Sequence, residues 1–167
     1  MSLTIKNLKD LVIEKVNNAA IKSEYQSYKL ILVAVPQHLH CALEIELLSS
    51  SISMINLSKQ LSRKLVSQSV NQRAHRLQEE VSEITKSCKT SVWLSKIDIL
   101  FETSLQCDPI MLLKSIAKSQ VLVVIWPGEI VENSMVYSKP GKQDYKSYPL
   151  KNLKDLQVID TCNGVLR

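Results

Sequence analysis

Glycine is nearly absent. The chain holds 3 glycines in 167 residues, and none precedes Gly128. Turns that wrap consecutive backbone N–H groups around a phosphate need glycine, so the long segment before Gly128 is poorly suited to make one. Cysteine is sparse and unpatterned. Cys41, Cys88, Cys107 and Cys162 form no C-x-x-C pair, and their wide, irregular spacing excludes the usual zinc and disulfide frameworks. Free thiols in a reducing compartment are the simpler reading. Long hydrophobic runs are missing too. The longest, 30–35 and 121–127, are too short to cross a bilayer. Lys6, Lys9 and Asp10 interrupt the first apolar stretch, so no signal sequence and a cytoplasmic location are expected. An excess of either charge is lacking as well. The 21 Lys+Arg and 16 Asp+Glu leave +5 spread along the chain, which permits an acidic partner without demanding one.

What is present suffices for one domain. Hydrophobic residues make up 45% of the chain, enough to bury a core without staples. No repeat or low-complexity segment divides it, so 1–167 reads as a single unit: an N-terminal helix in 1–28, a core over 29–160 and a tail over 161–167. Ile5, Leu8, Val12, Val16 and Ala19 recur at helical spacing. The run LILVAV at 30–35 suits a strand buried on both faces, as in a parallel sheet. A helix is predicted over 41–50, a weak strand over 53–57, and a helical or turn-like segment over 57–66. Ser69 and Gln72 form a capping-box pattern ahead of a helix to 86, whose buried stripe is Val70, Ala74, Leu77, Val81 and Ile84. Strands follow at 91–94 and 120–125. Between them Asp108-Pro109 opens a helix with Ile110, Leu113 and Ala117 inward. Trp126-Pro127-Gly128 stops the second strand, and weaker strands are predicted at 134–137 and 156–159. Strand and helix alternate, which predicts an α/β fold with a mostly parallel central sheet of about five strands.

The segment from 29 to 48, KLILVAVPQHLHCALEIELL, has the layout of strand, phosphate loop and helix. Laid over G-x-x-x-x-G-K-[ST], residues 34–41 read AVPQHLHC. Ala34 and Leu39 stand for the glycines, His40 for the lysine that reaches the outer phosphates, and Cys41 for the hydroxyl that holds magnesium. Imidazole is a poor substitute for a fixed ammonium, and a thiol is a poor magnesium ligand. Pro36 lies inside the same loop. The acidic residue expected at the end of a later strand is replaced by Ser95, with Asp98 and Glu102 displaced beyond it. Both loss of a nucleotide site and never having had one would produce this pattern.

The segments NLSKQLSRKLV (56–66), VWLSKIDILFETSLQCDPIMLLKSIAKS (92–119), VLVVIWPGE (121–129) and MVYSKPGKQDYKSYPL (135–150) carry a resemblance. In order and spacing they resemble the small P-loop protein of type 3 BREX phage-defence systems, the BrxF family, over roughly residues 28–160. That resemblance implies a three-layer P-loop NTPase-like domain. Carried over by position, the family's loop lysine falls on His40, its Ser/Thr on Cys41 and its strand-end aspartate on Ser95. None is retained, so the resemblance implies a degenerate member: no cofactor, no metal, no catalytic residue, and a larger defence-complex protein as partner.

Other residues admit two readings each. His38 and His40 read as loop histidines rather than ligands, since no pattern completes a metal site. Arg63, Lys64, Arg73 and Arg76 form either a solvated helix surface, neutralised by Glu79, Glu80 and Glu83, or a basic face for DNA or a partner. Trp126 either shapes a loop at the strand's carboxyl end or packs inside as a strand terminator. Tyr137, Tyr145 and Tyr148 either pack the C-terminal segment or stack on bases. Arg63, Lys64, Arg73, Arg76, Trp126 and Tyr145 are the candidate interaction residues. Three functions compete: a non-catalytic interaction subunit, an ATPase completed by a partner, and a DNA-binding module.

Overall fold

The computed structural model describes residues 4–86 and 91–162. Cys88 and the tail residues 163–167 lie outside the described residues. The first helix, α1 (Ile5–Ser23), is capped by Thr4, whose hydroxyl accepts the Asn7 N–H. Its stripe Leu8, Val12, Val16 and Ala19 is buried, with Ile5 half-exposed at the start. The chain then enters β1 (Leu30–Ala34), buried along its whole length. A single 3-10 turn (Gln37–Leu39) leads to α2 (His40–Ser49). Next come β2 (Met54–Asn56), α3 (Leu57–Leu65) and α4 (Val70–Lys86). Ser69 and Gln72 close the expected capping box in both directions, at 2.9 and 3.4 Å. Leu77, Val81 and Ile84 are buried as expected, whereas Val70 is exposed and Ala74 half-buried. The stripe thus engages only after the first helical turn of α4.

β3 (Val92–Ser95) is followed by two 3-10 turns and by α5 (Pro109–Ile116), where the Asp108 carboxylate accepts the Met111 N–H at 2.9 Å. β4 (Leu122–Trp126) begins two residues later than the expected strand over 120–125 and takes Trp126 into the strand. β5 (Glu129–Val131), β6 (Ser134–Tyr137), β7 (Lys146–Pro149) and β8 (Gln157–Asp160) complete the elements.

Five strands form one sheet in the order β2-β3-β4-β1-β8, all parallel. Alternate side chains face opposite layers. Ile31, Val33, Trp93, Val123 and Ile125 pack on α1 and α2. Leu30, Leu32, Leu94, Leu122 and Val124 pack on α3, α4 and α5. The fold is a three-layer α/β sandwich of the P-loop-like kind, with the central sheet at the expected strand number. Thr161 fastens β8 to the end of β1, its N–H and its hydroxyl both donating to the Ala34 carbonyl at 3.1 and 2.9 Å.

A second sheet was not anticipated from the sequence. β5, β6 and β7 pair antiparallel, and β5 joins β6 through Glu132-Asn133, both at positive φ (45° and 62°). Two consecutive left-handed residues make the mirror-image turn that matches strand twist. This small sheet lies against β4 and the segment after β3 through aromatic contacts. Phe101 stacks on Tyr137 with ring centroids 3.7 Å apart, and Trp126 meets Phe101 and Tyr148 edge-on. Trp126 Nε1–H donates to the Val136 carbonyl at 3.0 Å. The Tyr137 and Tyr148 hydroxyls donate to Asp98 and Asp108 at 3.4 and 3.3 Å, which ties the sheet to both ends of the loop from 98 to 108.

Candidate functional site

Open parallel sheets bind ligands beyond the carboxyl ends of their strands. Here that edge gathers the β1–α2 turn, Ser95 and Lys96 after β3, and the Trp126-Pro127-Gly128 exit from β4. Ala34 ends β1 in register with Trp126 on one side and Asp160 on the other. A cleft beside it is lined by Val35, Pro36, Gln37, His38, Glu129 and Cys162.

The β1–α2 turn is compact. Pro36 has no N–H to offer. The Leu39 N–H donates to the Pro36 carbonyl at 2.9 Å, and the His40 N–H donates to the Gln37 carbonyl. These bonds close the 3-10 turn and direct the amides along its axis rather than into a concavity. The His40 side chain turns back on the same segment, its Nε2 within 2.8 Å of the Val35 carbonyl, so that nitrogen carries the proton and donates. His38 is exposed in the turn. All residues from 34 to 41 keep negative φ, whereas a phosphate cradle draws on left-handed positions.

Opposite this turn stands Lys96. It follows Ser95, which is 3% exposed and ends β3. Lys96 has φ +51°, and its backbone is fixed there by Ser58, whose N–H and hydroxyl both donate to the Lys96 carbonyl at 2.9 and 2.5 Å. A left-handed lysine is uncommon and holds only where its surroundings enforce it. From this backbone the Lys96 side chain, 38% exposed, reaches the start of α2, its ammonium 3.8 Å from Cys41 Sγ and 3.7 Å from Glu44 Oε1. Asp98 is exposed in the 3-10 turn beyond and accepts from Tyr137.

These residues do not fit a magnesium nucleotide. The amides at Leu39 and His40 already have acceptors, and the start of α2 presents a thiol facing an ammonium. Among the described residues no group of three or more His, Cys, Asp or Glu side chains is placed to hold a metal ion.

The four basic candidates lie elsewhere, on α3 and α4, and are largely occupied with one another's neighbours. Lys64 bonds Glu83 and Glu80, at 2.5 and 3.1 Å, and Arg76 reaches Glu80 at 3.2 Å. Gln68 donates to the same Glu80 carboxylate, and Arg73 Nε donates to the Gln68 carbonyl at 2.9 Å. Glu80 is buried, and Lys64 first of all holds its carboxyl below the ordinary range. Sequence alone placed Glu79, Glu80 and Glu83 on this helix. It could not show that Glu80 turns inward and draws the cations after it. Arg63 alone of the four is exposed with no such contact.

Trp126 is corrected as an interaction residue. Its side chain is fully buried, so in the folded chain it faces no partner. Tyr137 and Tyr148 pack on Phe101 and Trp126, while Tyr145 sits half-exposed in the β6–β7 connection. Lys96 and Ser58, which line a separate cleft with Asn56, Lys59 and Asp98, were not singled out from the sequence. The only available signal was a lysine directly after the strand-end position.

No protein-family model matches the chain, and neither curated proteins nor solved structures match it. The fold places the chain in the class of three-layer α/β proteins of P-loop-like architecture.

Proposed function

We propose that this chain is a non-catalytic interaction subunit of a phage-defence system, a P-loop-like domain whose phosphate loop is degenerate. One observation carries the reading: the amides that would cradle a phosphate are committed to the 3-10 turn at Leu39 and His40. A domain of this kind persists through its surfaces. Docking onto a larger defence protein through helical faces is supported by apolar side chains left in solvent in the α1–α2 layer, Ile45 and Leu48 on α2 and Ile21 on α1. The competing reading as a DNA-binding module draws less support, because Lys64 and Arg76 are paired with Glu80 and Glu83. Among the described residues, no helix is long and apolar enough to cross a membrane.

Calorimetric titration with magnesium ATP tests the core of the proposal, and no heat of binding is expected. Micromolar binding, or hydrolysis by the chain alone, overturns it; hydrolysis only in a reconstituted complex favours an ATPase completed by a partner. Mobility shift with unrelated duplexes at two salt concentrations separates the remaining readings. Phosphate-mediated binding falls steeply with salt through counterion release, whereas an apolar protein interface weakens far less. Tight, salt-sensitive DNA binding lost on neutralising Arg63, Lys64, Arg73 and Arg76 would defeat the docking model.

A further inference from the structure

In P-loop proteins the metal ion sits between the hydroxyl at the start of the helix and an acidic residue at the end of a neighbouring strand. Here the corresponding positions are Cys41, at the start of α2, and Ser95, at the end of β3. From the residue next to Ser95, a side chain reaches into the space between them. Its ammonium has a thiol at 3.8 Å and a carboxylate at 3.7 Å. We infer that Lys96 is the crevice's resident cation: its ammonium takes the metal position and joins the end of β3 to the start of α2, so the crevice recruits no divalent ion.

Three features converge on this. The first is backbone geometry. Lys96 could relax from φ +51° only by giving up the two hydrogen bonds from Ser58, so α3 fixes the backbone from which the side chain departs, and the contacts with Cys41 and Glu44 hold its far end. Ser58 also accepts the Ile99 N–H at 3.2 Å, which extends the fixed segment beyond Lys96. The second is charge. Glu44 is a mostly buried carboxylate on α2, its side chain 19% exposed, and Lys96 is its ion-pair partner. A metal ion entering the same space would meet a positive charge a few ångströms away and be repelled by it. The third is ligand chemistry. A thiol and a single carboxylate are a poor set for magnesium, whose preference is for several oxygens in an octahedron. The inference goes beyond the docking reading and does not depend on it, because it concerns what closes the crevice rather than what binds the surface.

The test uses the full chain as wild type, Lys96→Met and Lys96→Arg. Amide exchange is followed over residues 37–44, with residues 134–149 as the internal control. Lys96→Met is expected to exchange several-fold faster over 37–44 and at the wild-type rate over the control. Lys96→Arg, which keeps the charge, is expected to match wild type in both. Cadmium ion is then added as the probe, because thiolate and carboxylate together suit a soft divalent cation. It should slow exchange over 37–44 in Lys96→Met, entering the vacated position, and leave that segment of wild type unchanged. The inference fails if Lys96→Met exchanges like wild type over 37–44, or if cadmium does not slow that variant there. It also fails if magnesium or cadmium protects that segment in wild type with the ammonium in place.

Discussion

Two turns leave the same end of the sheet side by side, after Ala34 and after Trp126, which are partners in register. The first has no glycine and contracts into a 3-10 turn that satisfies its own amides. The second contains Gly128 and uses it. A Cβ there would lie 1.8 Å from the Val136 carbonyl oxygen, so the strand exit and β6 approach more closely than any side chain permits. One turn lacks the residue that a phosphate site requires, and the other keeps glycine for packing. Glycine at this end of the sheet therefore serves the small sheet, not a phosphate.

The sharpest break in that comparison is Gly128→Ala. The collision is with backbone, so no rotamer change relieves it, and β6 must withdraw along with the Trp126–Val136 hydrogen bond. A loss on the order of 4 kcal/mol is expected in denaturant unfolding, with an m-value matching wild type. Trp126→Phe is the milder version. It removes the Nε1 donor and part of a buried ring, and should reduce stability by about 2–3 kcal/mol. A Gly128→Ala chain as stable as wild type would mean that the close approach is not needed.

Raising the pH probes the same aromatic junction without mutation. Burial, then the Asp98 and Asp144 carboxylates, push the Tyr137 hydroxyl up from 10.0 to about 12. Burial, then Asp108, push the Cys107 thiol up from 9.0 to about 11. Burial and Asp108 raise Tyr148 in the same direction. Each group holds its proton more tightly folded than unfolded, so its contribution is complete below the unfolded value and is lost as pH rises through the folded one. Stability should be flat up to about pH 9 and decline between there and about pH 12, with Tyr137→Phe showing a shallower decline. Fluorescence of Trp126 and Trp93 reports the change. A melting temperature constant across that window would count against the packing described for β6 and β7.

Legibility differed between the two turns for a physical reason. Local chemistry was readable: the Ser69–Gln72 box, the Asp108 cap and the apolar run of β1 formed where pattern placed them, and β4 formed shifted toward Trp126. The glycine-free segment AVPQHLHC folds into a compact 3-10 turn and the start of α2. The small sheet was only partly readable. β6 was anticipated, but β5 was hidden because Trp-Pro-Gly reads as a stop and Glu132-Asn133 lacks the glycine that usually marks such a turn. Lys96 was illegible. Its role depends on a left-handed backbone enforced by Ser58, a residue 38 positions away in sequence. The inward turn of Glu80 likewise depends on how α3 meets α4, which no single-helix pattern reveals.

The smallest effects belong to the β1–α2 turn itself. His40→Ala removes a side-chain bond to the Val35 carbonyl, 2.8 Å in length and half-buried, and should cost about 1 kcal/mol. Pro36→Ala should cost less, about 0.5 kcal/mol, because it only frees an unfolded-state φ that proline restricts. Neither substitution should create nucleotide binding. Pro36→Ala adds an N–H, but the Leu39 and His40 amides stay bonded to the Pro36 and Gln37 carbonyls whatever side chain position 36 carries. Parallel calorimetry with magnesium ATP checks this in both variants. Binding gained by Pro36→Ala would show that one missing donor, rather than the committed 3-10 turn, is what separates this crevice from a phosphate site.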